Sequence, residues 1–133
     1  MGPRPRVLLA DDHAIVAKTL GSLIEKVADL LGTVSDGGQL VDRVRRVRPD
    51  IIVADVHMPV VNGLDAMRQL RAEGVHAKFI FVTMHADAQI AAEALDAGAS
   101  GFVFKQAAGE ELIEAIQAVA EGGTYLTTAV LRS

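Results

Sequence analysis

The stretch VLLADDH, residues 7–13, contains the pattern on which the whole chain is built, an apolar run that ends in carboxylates. A continuous apolar run closed by polar residues is typical of a strand buried on both faces of a parallel sheet. Apolar residues then recur at helical spacing from Val16 to Val27. The start of the chain therefore predicts a strand followed by a helix, with acidic side chains at the junction.

The same alternation continues along most of the chain. Apolar runs at 51–55, 79–83 and 101–105 end in Asp55, Thr83 and Lys105, and a weaker strand pattern covers 31–35. A helical pattern follows each of these runs. Strict alternation of strands and helices favours right-handed crossovers and a parallel sheet covered on both faces. We predict an α/β, flavodoxin-like three-layer sandwich, in which five helices cover a five-stranded parallel sheet of order 2-1-3-4-5.

Length and composition exclude several classes of protein. The chain has 133 residues, about 14.1 kDa, which suits one domain. It has no cysteine, so disulfides, cysteine-ligated metals and cysteine nucleophiles are excluded. Thirteen basic against 17 acidic residues give a net charge of −4, which argues against a nucleic-acid binder held by a basic surface. No apolar run is long enough to span a membrane, and we expect a cytoplasmic protein without membrane contact.

Polar residues at the strand ends predict one site. In open parallel sheets, ligands bind beyond the carboxyl ends of the strands, and the first and third strands are neighbours at the switch point. Asp11, Asp12 and Asp55 should therefore converge, with Thr83 and Lys105 beside them. Clustered carboxylates repel one another, and Mg²⁺ relieves this repulsion. The set is consistent with an aspartate nucleophile, a metal site, and a hydroxyl and an ammonium for phosphoryl oxygens.

The same residues resemble a known family. The segments LADDH (9–13), DVHMP (55–59) with Asn62-Gly63, Thr83 and GASGFVFK (98–105) resemble the receiver domain of bacterial two-component response regulators, over residues 5–122. The resemblance implies a phosphorylation-controlled signalling module rather than an enzyme, with Asp55 as phosphoacceptor and a sensor histidine kinase as donor.

The resemblance also implies individual roles in the site. Asp12 would bind Mg²⁺ directly, Asp11 through water, and the backbone carbonyl of His57 would complete the protein's share beside Asp55. Thr83 and Lys105 would bind the phosphoryl oxygens.

The resemblance also implies roles for five side chains in switching and in hydrolysis. Thr83 and Phe102 would form the switch, which would remodel the face of the fourth helix, fifth strand and fifth helix. His57, Met84 and His85 lie beside the site in sequence and would tune hydrolysis of the acyl phosphate.

Details of the motifs resemble one subfamily. The segments ADDH (10–13), TMH (83–85) and GFVFK (101–105), with no proline after the lysine, look like regulators that carry a C-terminal LuxR-type helix-turn-helix. The resemblance implies that residues 123–133 are a tail or the start of a linker to a DNA-binding domain absent from this chain. DNA would be contacted only through that domain, and phosphorylation would favour a homodimer.

Other functions stay open on the sequence alone. One is a stand-alone receiver that acts by protein–protein interaction. Another is a phosphatase with an aspartyl-phosphate intermediate, whose nucleophile would typically lie in an Asp-x-Asp pattern after the first strand rather than in Asp11-Asp12-His13. A third is a flavodoxin-like mononucleotide binder, although Asp11 and Asp12 would repel a phosphate there.

Overall fold

A computed structural model describes residues 4–84 and 88–127. The strands are β1 (Arg6–Ala10), β2 (Asp29–Val34), β3 (Ile51–Asp55), β4 (Lys78–Thr83), β5 (Gly101–Phe104) and β6 (Tyr125–Leu126). The helices are α1 (Ala14–Glu25), α2 (Gly37–Val47), α3 (Gly63–Ala72), α4 (Ala88–Asp96) and α5 (Ala108–Ala120). A short 3₁₀ turn, Lys105–Ala107, joins β5 to α5. No helix in these ranges is both long and apolar enough to cross a bilayer.

All strands are parallel, in the order β2-β1-β3-β4-β5-β6. The predicted α/β class, the five helices and the order of the first five strands are confirmed. Ala10 of β1 lies opposite Ala54 of β3, which brings the residues after both strands to the same edge. From β1 the chain continues to β2 on one side, whereas β3 and the later strands lie on the other side of β1. The crevice at this change of direction, between β1 and β3, is where such sheets bind ligands.

The sheet has an apolar layer on each face. Leu8 and Ala10 of β1 pack towards α2, α3 and α4, whereas Val7 and Leu9 pack towards α1 and α5. All four side chains are completely buried. Burial of both faces explains why this strand is apolar without alternation, since neither face meets water.

The prediction of five strands is wrong by one strand. β6 pairs with β5 in parallel, with Tyr125 opposite Gly101 and Leu126 opposite Phe102. Both residues lie in the segment 123–133, which we predicted to be a tail or the start of a linker. A two-residue strand is too short to show a periodic pattern in the sequence. The residues that hold this strand in place belong to other elements. The Tyr125 hydroxyl and the Thr127 hydroxyl each donate to the carboxylate of Glu111 in α5, at 2.9 Å.

Two helices begin with side-chain caps. Asp36 accepts from Gln39 N at 2.8 Å at the start of α2, and Asn62 accepts from Asp65 N at 2.9 Å at the start of α3. Such caps satisfy amide groups that the first helical turn leaves unpaired. They fix the residue at which each helix begins after its loop at the carboxyl edge of the sheet.

Candidate functional site

The predicted polar residues meet at the carboxyl edge of the sheet. Asp11 and Asp12 follow β1, Asp55 and Thr83 are the last residues of β3 and β4, and Lys105 follows β5. Asp11, Asp55 and Thr83 are buried, while Asp12 is exposed. Because the strands are parallel and in register, residues far apart in sequence share one edge.

Lys105 joins the two buried carboxylates. Its Nζ lies 2.7 Å from Asp55 Oδ2 and 2.8 Å from Asp11 Oδ2, and its side chain is 3% exposed. Burial by itself lowers the pKa of Lys105, but hydrogen bonds to Asp11 and Asp55 outweigh burial and raise it above its usual value. The ammonium therefore stays charged at neutral pH and holds the two aspartates together.

A fourth side chain belongs to the acidic cluster. Ligand atoms of Asp11, Asp12, His13 and Asp55 all lie within 4.8 Å of one another. His13 Nδ1 is 3.2 Å from Asp12 Oδ1 and 3.3 Å from Asp11 Oδ1. His13 was not among the residues predicted to have a role. Its position directly after the aspartate pair was the available signal, but sequence alone does not say which way the ring turns.

The residues fit a divalent cation. Three carboxylates against one ammonium leave a net charge of −2, which one divalent cation neutralises. Asp11 Oδ2 is buried, and its contact among the described residues is the ion pair with Lys105. Octahedral Mg²⁺ places opposite ligands about 4.2 Å apart, so small shifts would fit these atoms around it.

Asp55 is held from two sides. The backbone N–H of His57 donates to Asp55 Oδ1 at 3.0 Å, while Lys105 holds Oδ2. Behind Asp55, a Cβ on Gly63 would come within 2.3 Å of the Asp55 carbonyl oxygen. Only glycine therefore allows the start of α3 to pack this close to the end of β3.

The expected switch residues lie behind the site. Thr83 is fully buried at the end of β4, opposite Phe104 of β5. Phe102 is also fully buried, with its ring edge-on to Phe104 and 6.4 Å between ring centres. Phe102 thus lies inside the protein in this structure, and β6 pairs with its backbone.

The remaining predicted residues lie at the margin of the site. The side chain of His57 is exposed, and Met84 is 49% exposed. The Met84 carbonyl accepts from Gln106 Nε2 at 2.9 Å, which ties the loop after β4 to the turn after β5. His85 lies outside the described residues.

Comparison with known proteins places this arrangement in a family. The model of the response regulator receiver domain matches residues 7–117, most of the chain. The chain belongs to this family. Receiver domains are signalling modules rather than classical enzymes, and those of this family bind Mg²⁺ at an acidic pocket such as the Asp11, Asp12 and Asp55 cluster.

The similar proteins specify the type of receiver domain. The transcriptional regulatory protein MctR of Rhizobium johnstonii is 31% identical over 96% of this chain and 61% of its own length. The response regulator UvrY of Escherichia coli K12 is 32% identical over 92% of this chain and 57% of its own length. The chain thus spans about three-fifths of these curated relatives.

Solved structures agree with this assignment. A LuxR-family two-component response regulator from Aurantimonas sp. SI85-9A1 has a TM-score of 0.92 and 32% identity, covering 97% of this chain and 94% of that chain. The receiver domain of NarL from Mycobacterium tuberculosis, at 23% identity and a TM-score of 0.85, shares the fold. The chain is a receiver domain of the LuxR/NarL type. The alternatives of a stand-alone receiver, a phosphatase and a mononucleotide binder receive no support from these matches.

Proposed function

We propose that this receiver domain takes a phosphoryl group onto Asp55 from the phosphohistidine of a sensor histidine kinase. The contact of Lys105 Nζ with Asp55 and Asp11 carries the proposal. It places a fixed positive charge beside a buried carboxylate, at the edge of the sheet where ligands bind.

The transfer forms a bond between a carboxylate oxygen of Asp55 and phosphorus, and it breaks the bond between phosphorus and the donor imidazole nitrogen. The donor leaves as the kinase's neutral imidazole once it has taken up a proton. Lys105 neutralises charge on the phosphoryl oxygens, and the Thr83 hydroxyl donates to one of them. Such transfer is catalysed mainly by positioning and charge neutralisation.

Asp11, Asp12, Asp55 and the His57 carbonyl would hold Mg²⁺. When bound, the cation supplies charge neutralisation for the carboxylates and the incoming phosphoryl oxygens. The protein residues position these groups before transfer, because Asp11 and Asp55 are already tied to Lys105. The exposed side chain of His57, together with Met84 and His85, would tune access of water to the acyl phosphate.

Phosphorylation would act through Thr83 and Phe102 on the face formed by α4, β5 and α5. A phosphoryl group adds a charge of about −1.5 to −2, which draws the Thr83 hydroxyl towards it. Thr83 lies in β4 directly opposite Phe104 of β5, so movement of one strand end reaches the other. The result is a population shift between two arrangements of this face.

The output would be control of a LuxR-type helix-turn-helix in a longer protein. MctR is a transcriptional regulatory protein, and this chain matches 61% of its length. In that arrangement residues 5–122 are the receiver, residues 123–133 lead into the linker, and DNA is bound through the following domain. Homodimerisation on phosphorylation and a cytoplasmic location belong to the same proposal.

The test is phosphorylation by acetyl phosphate in the presence of Mg²⁺, followed by intact mass spectrometry. We expect wild type to gain one phosphoryl group and Asp55→Asn to gain none. Asp96→Asn, an exposed carboxylate in α4, is the matched control and should behave as wild type. Equal mass gain in Asp55→Asn, or no gain in wild type, would contradict the proposal.

A further inference from the structure

His13 lies with its ring against the acidic cluster rather than away from it. Nδ1 is 3.2 Å from Asp12 Oδ1 and 3.3 Å from Asp11 Oδ1. Its backbone N–H also donates to Asp11 Oδ1 at 2.8 Å, which fixes the residue beside the carboxylates. The ring is 61% exposed, so it approaches the cluster from the solvent side.

His13 directly precedes α1, where a side chain usually caps the helix, so the direction of its ring shows whether it serves as a cap. His13 is the N-cap residue of α1 and makes no side-chain cap hydrogen bond. Serine, threonine, aspartate or asparagine would stabilise the helix start at this position by about 1 kcal/mol. The imidazole therefore contributes nothing to capping, and its contacts are with the carboxylates.

The spacing of the nitrogen matches that of a metal ligand. Adjacent ligands of an octahedral ion with bonds of about 2.1 Å lie about 3.0 Å apart. His13 Nδ1 and Asp12 Oδ1 are 3.2 Å apart, so both can contact one cation after a small shift. Imidazole nitrogen favours transition metals, whereas Mg²⁺ favours oxygen ligands.

We propose that His13 Nδ1 is a further ligand of the cation in this site, and that it raises the affinity of the receiver for an ion that accepts imidazole, such as Ni²⁺, relative to Mg²⁺. The inference rests on the proposed metal site and adds a residue that sets its selectivity. Asp11, Asp12 and Asp55 supply the charge that any divalent ion needs, and His13 discriminates among those ions.

The test is titration calorimetry of wild type and His13→Asn with Mg²⁺, Mn²⁺ or Ni²⁺ alone. Asparagine caps a helix well, so this variant should fold at least as stably as wild type. We expect Ni²⁺ affinity to fall by about tenfold or more, with Mn²⁺ affinity falling less steeply. Mg²⁺ affinity should change by less than about twofold, because Mg²⁺ gains little from a nitrogen ligand.

A spectroscopic measurement reports the bond itself. Pulsed electron paramagnetic resonance of bound Mn²⁺ should show coupling to a ¹⁴N nucleus in wild type, and this coupling should vanish in His13→Asn. His76→Asn is the control, since His76 lies beside Ala77 before β4, at the opposite edge of the sheet from the site. This control should keep the coupling.

The outcomes separate this inference from the proposed function. Equal losses for Mg²⁺ and Ni²⁺ in His13→Asn, or no ¹⁴N coupling in wild type, would overturn the role of His13 while leaving the magnesium site in place. An Nδ1–H that only donates to a carboxylate would give this result. Failure of wild type to bind any of the three ions would overturn both.

Discussion

Lys105 shows how a single residue organises the site. Its ammonium contacts two buried carboxylates from different strands, and the three charges would be costly to bury separately. In the sequence it is one lysine at the end of an apolar run, where a solvated side chain would be the ordinary expectation. Its partners lie 94 and 50 residues earlier in the chain and become visible only in the folded molecule.

Val60 stores strain beside the site. Its φ is 71°, which β-branched residues rarely adopt, and the Val61 N–H bonds across it to the Pro59 carbonyl at 2.9 Å. Its side chain is 81% exposed, so little packing compensates. We predict that Val60→Gly stabilises the protein by about 1 kcal/mol, as measured by urea unfolding.

Val60→Ala is the matched variant for that measurement. Alanine keeps a Cβ in the strained conformation, so it should give clearly less stabilisation than glycine. A lower free energy of unfolding for Val60→Gly than for wild type would show that the turn carries no strain to relieve.

At the scale of elements, the contact between β3 and α3 sets the position of the phosphoacceptor. A Cβ on Gly63 would lie 2.3 Å from the Asp55 carbonyl oxygen and 2.9 Å from Phe81 Cε1. We predict that Gly63→Ala lowers the free energy of unfolding by about 1–3 kcal/mol, because the start of α3 must move away from the sheet. Urea unfolding measures the loss.

A second glycine provides the control. Gly109, in the first turn of α5, has no atom within 4 Å of an added Cβ. Gly109→Ala should therefore be neutral or stabilising by up to about 1 kcal/mol, since alanine favours the helix. Equal effects at both positions would contradict the importance of the close contact at Gly63.

At the scale of the whole molecule, β6 closes the outer edge of the sheet and ties the end of the described chain to α5. Tyr125 is the chain's single tyrosine, and there is no tryptophan, so the absorbance change on ionisation of tyrosine reports on this contact alone. Burial raises the pKa of Tyr125 well above its usual value, and the neighbouring Glu111 carboxylate raises it further.

This shift predicts a loss of stability in alkali. The phenol ionises near pH 10 in the unfolded chain and at higher pH in the folded protein, so folding is favoured below about pH 10 and loses this contribution as pH rises. Spectrophotometric titration of the native protein should place the Tyr125 pKa above that of a model phenol. Glu111→Gln should lower this pKa, and an unshifted Tyr125 in wild type would contradict the contact.

Local patterns in the sequence were enough to predict the α/β class, the first five strands and their order, and the residues at the strand ends. Apolar runs, helical spacing and polar strand ends are local signals, and parallel order then brings Asp11, Asp12, Asp55, Thr83 and Lys105 to one edge. The motif around them also identified the family.

Other features depend on contacts between residues that are distant in the sequence. The strand β6 depends on Glu111 for hydroxyl partners, and the direction of the His13 ring depends on carboxylates whose positions follow from the sheet. The two residues of β6 are too few to show a periodic pattern. The direction of a side chain is set by the residues that surround it in the folded protein. Contacts of this kind exist only after the strands have been placed side by side.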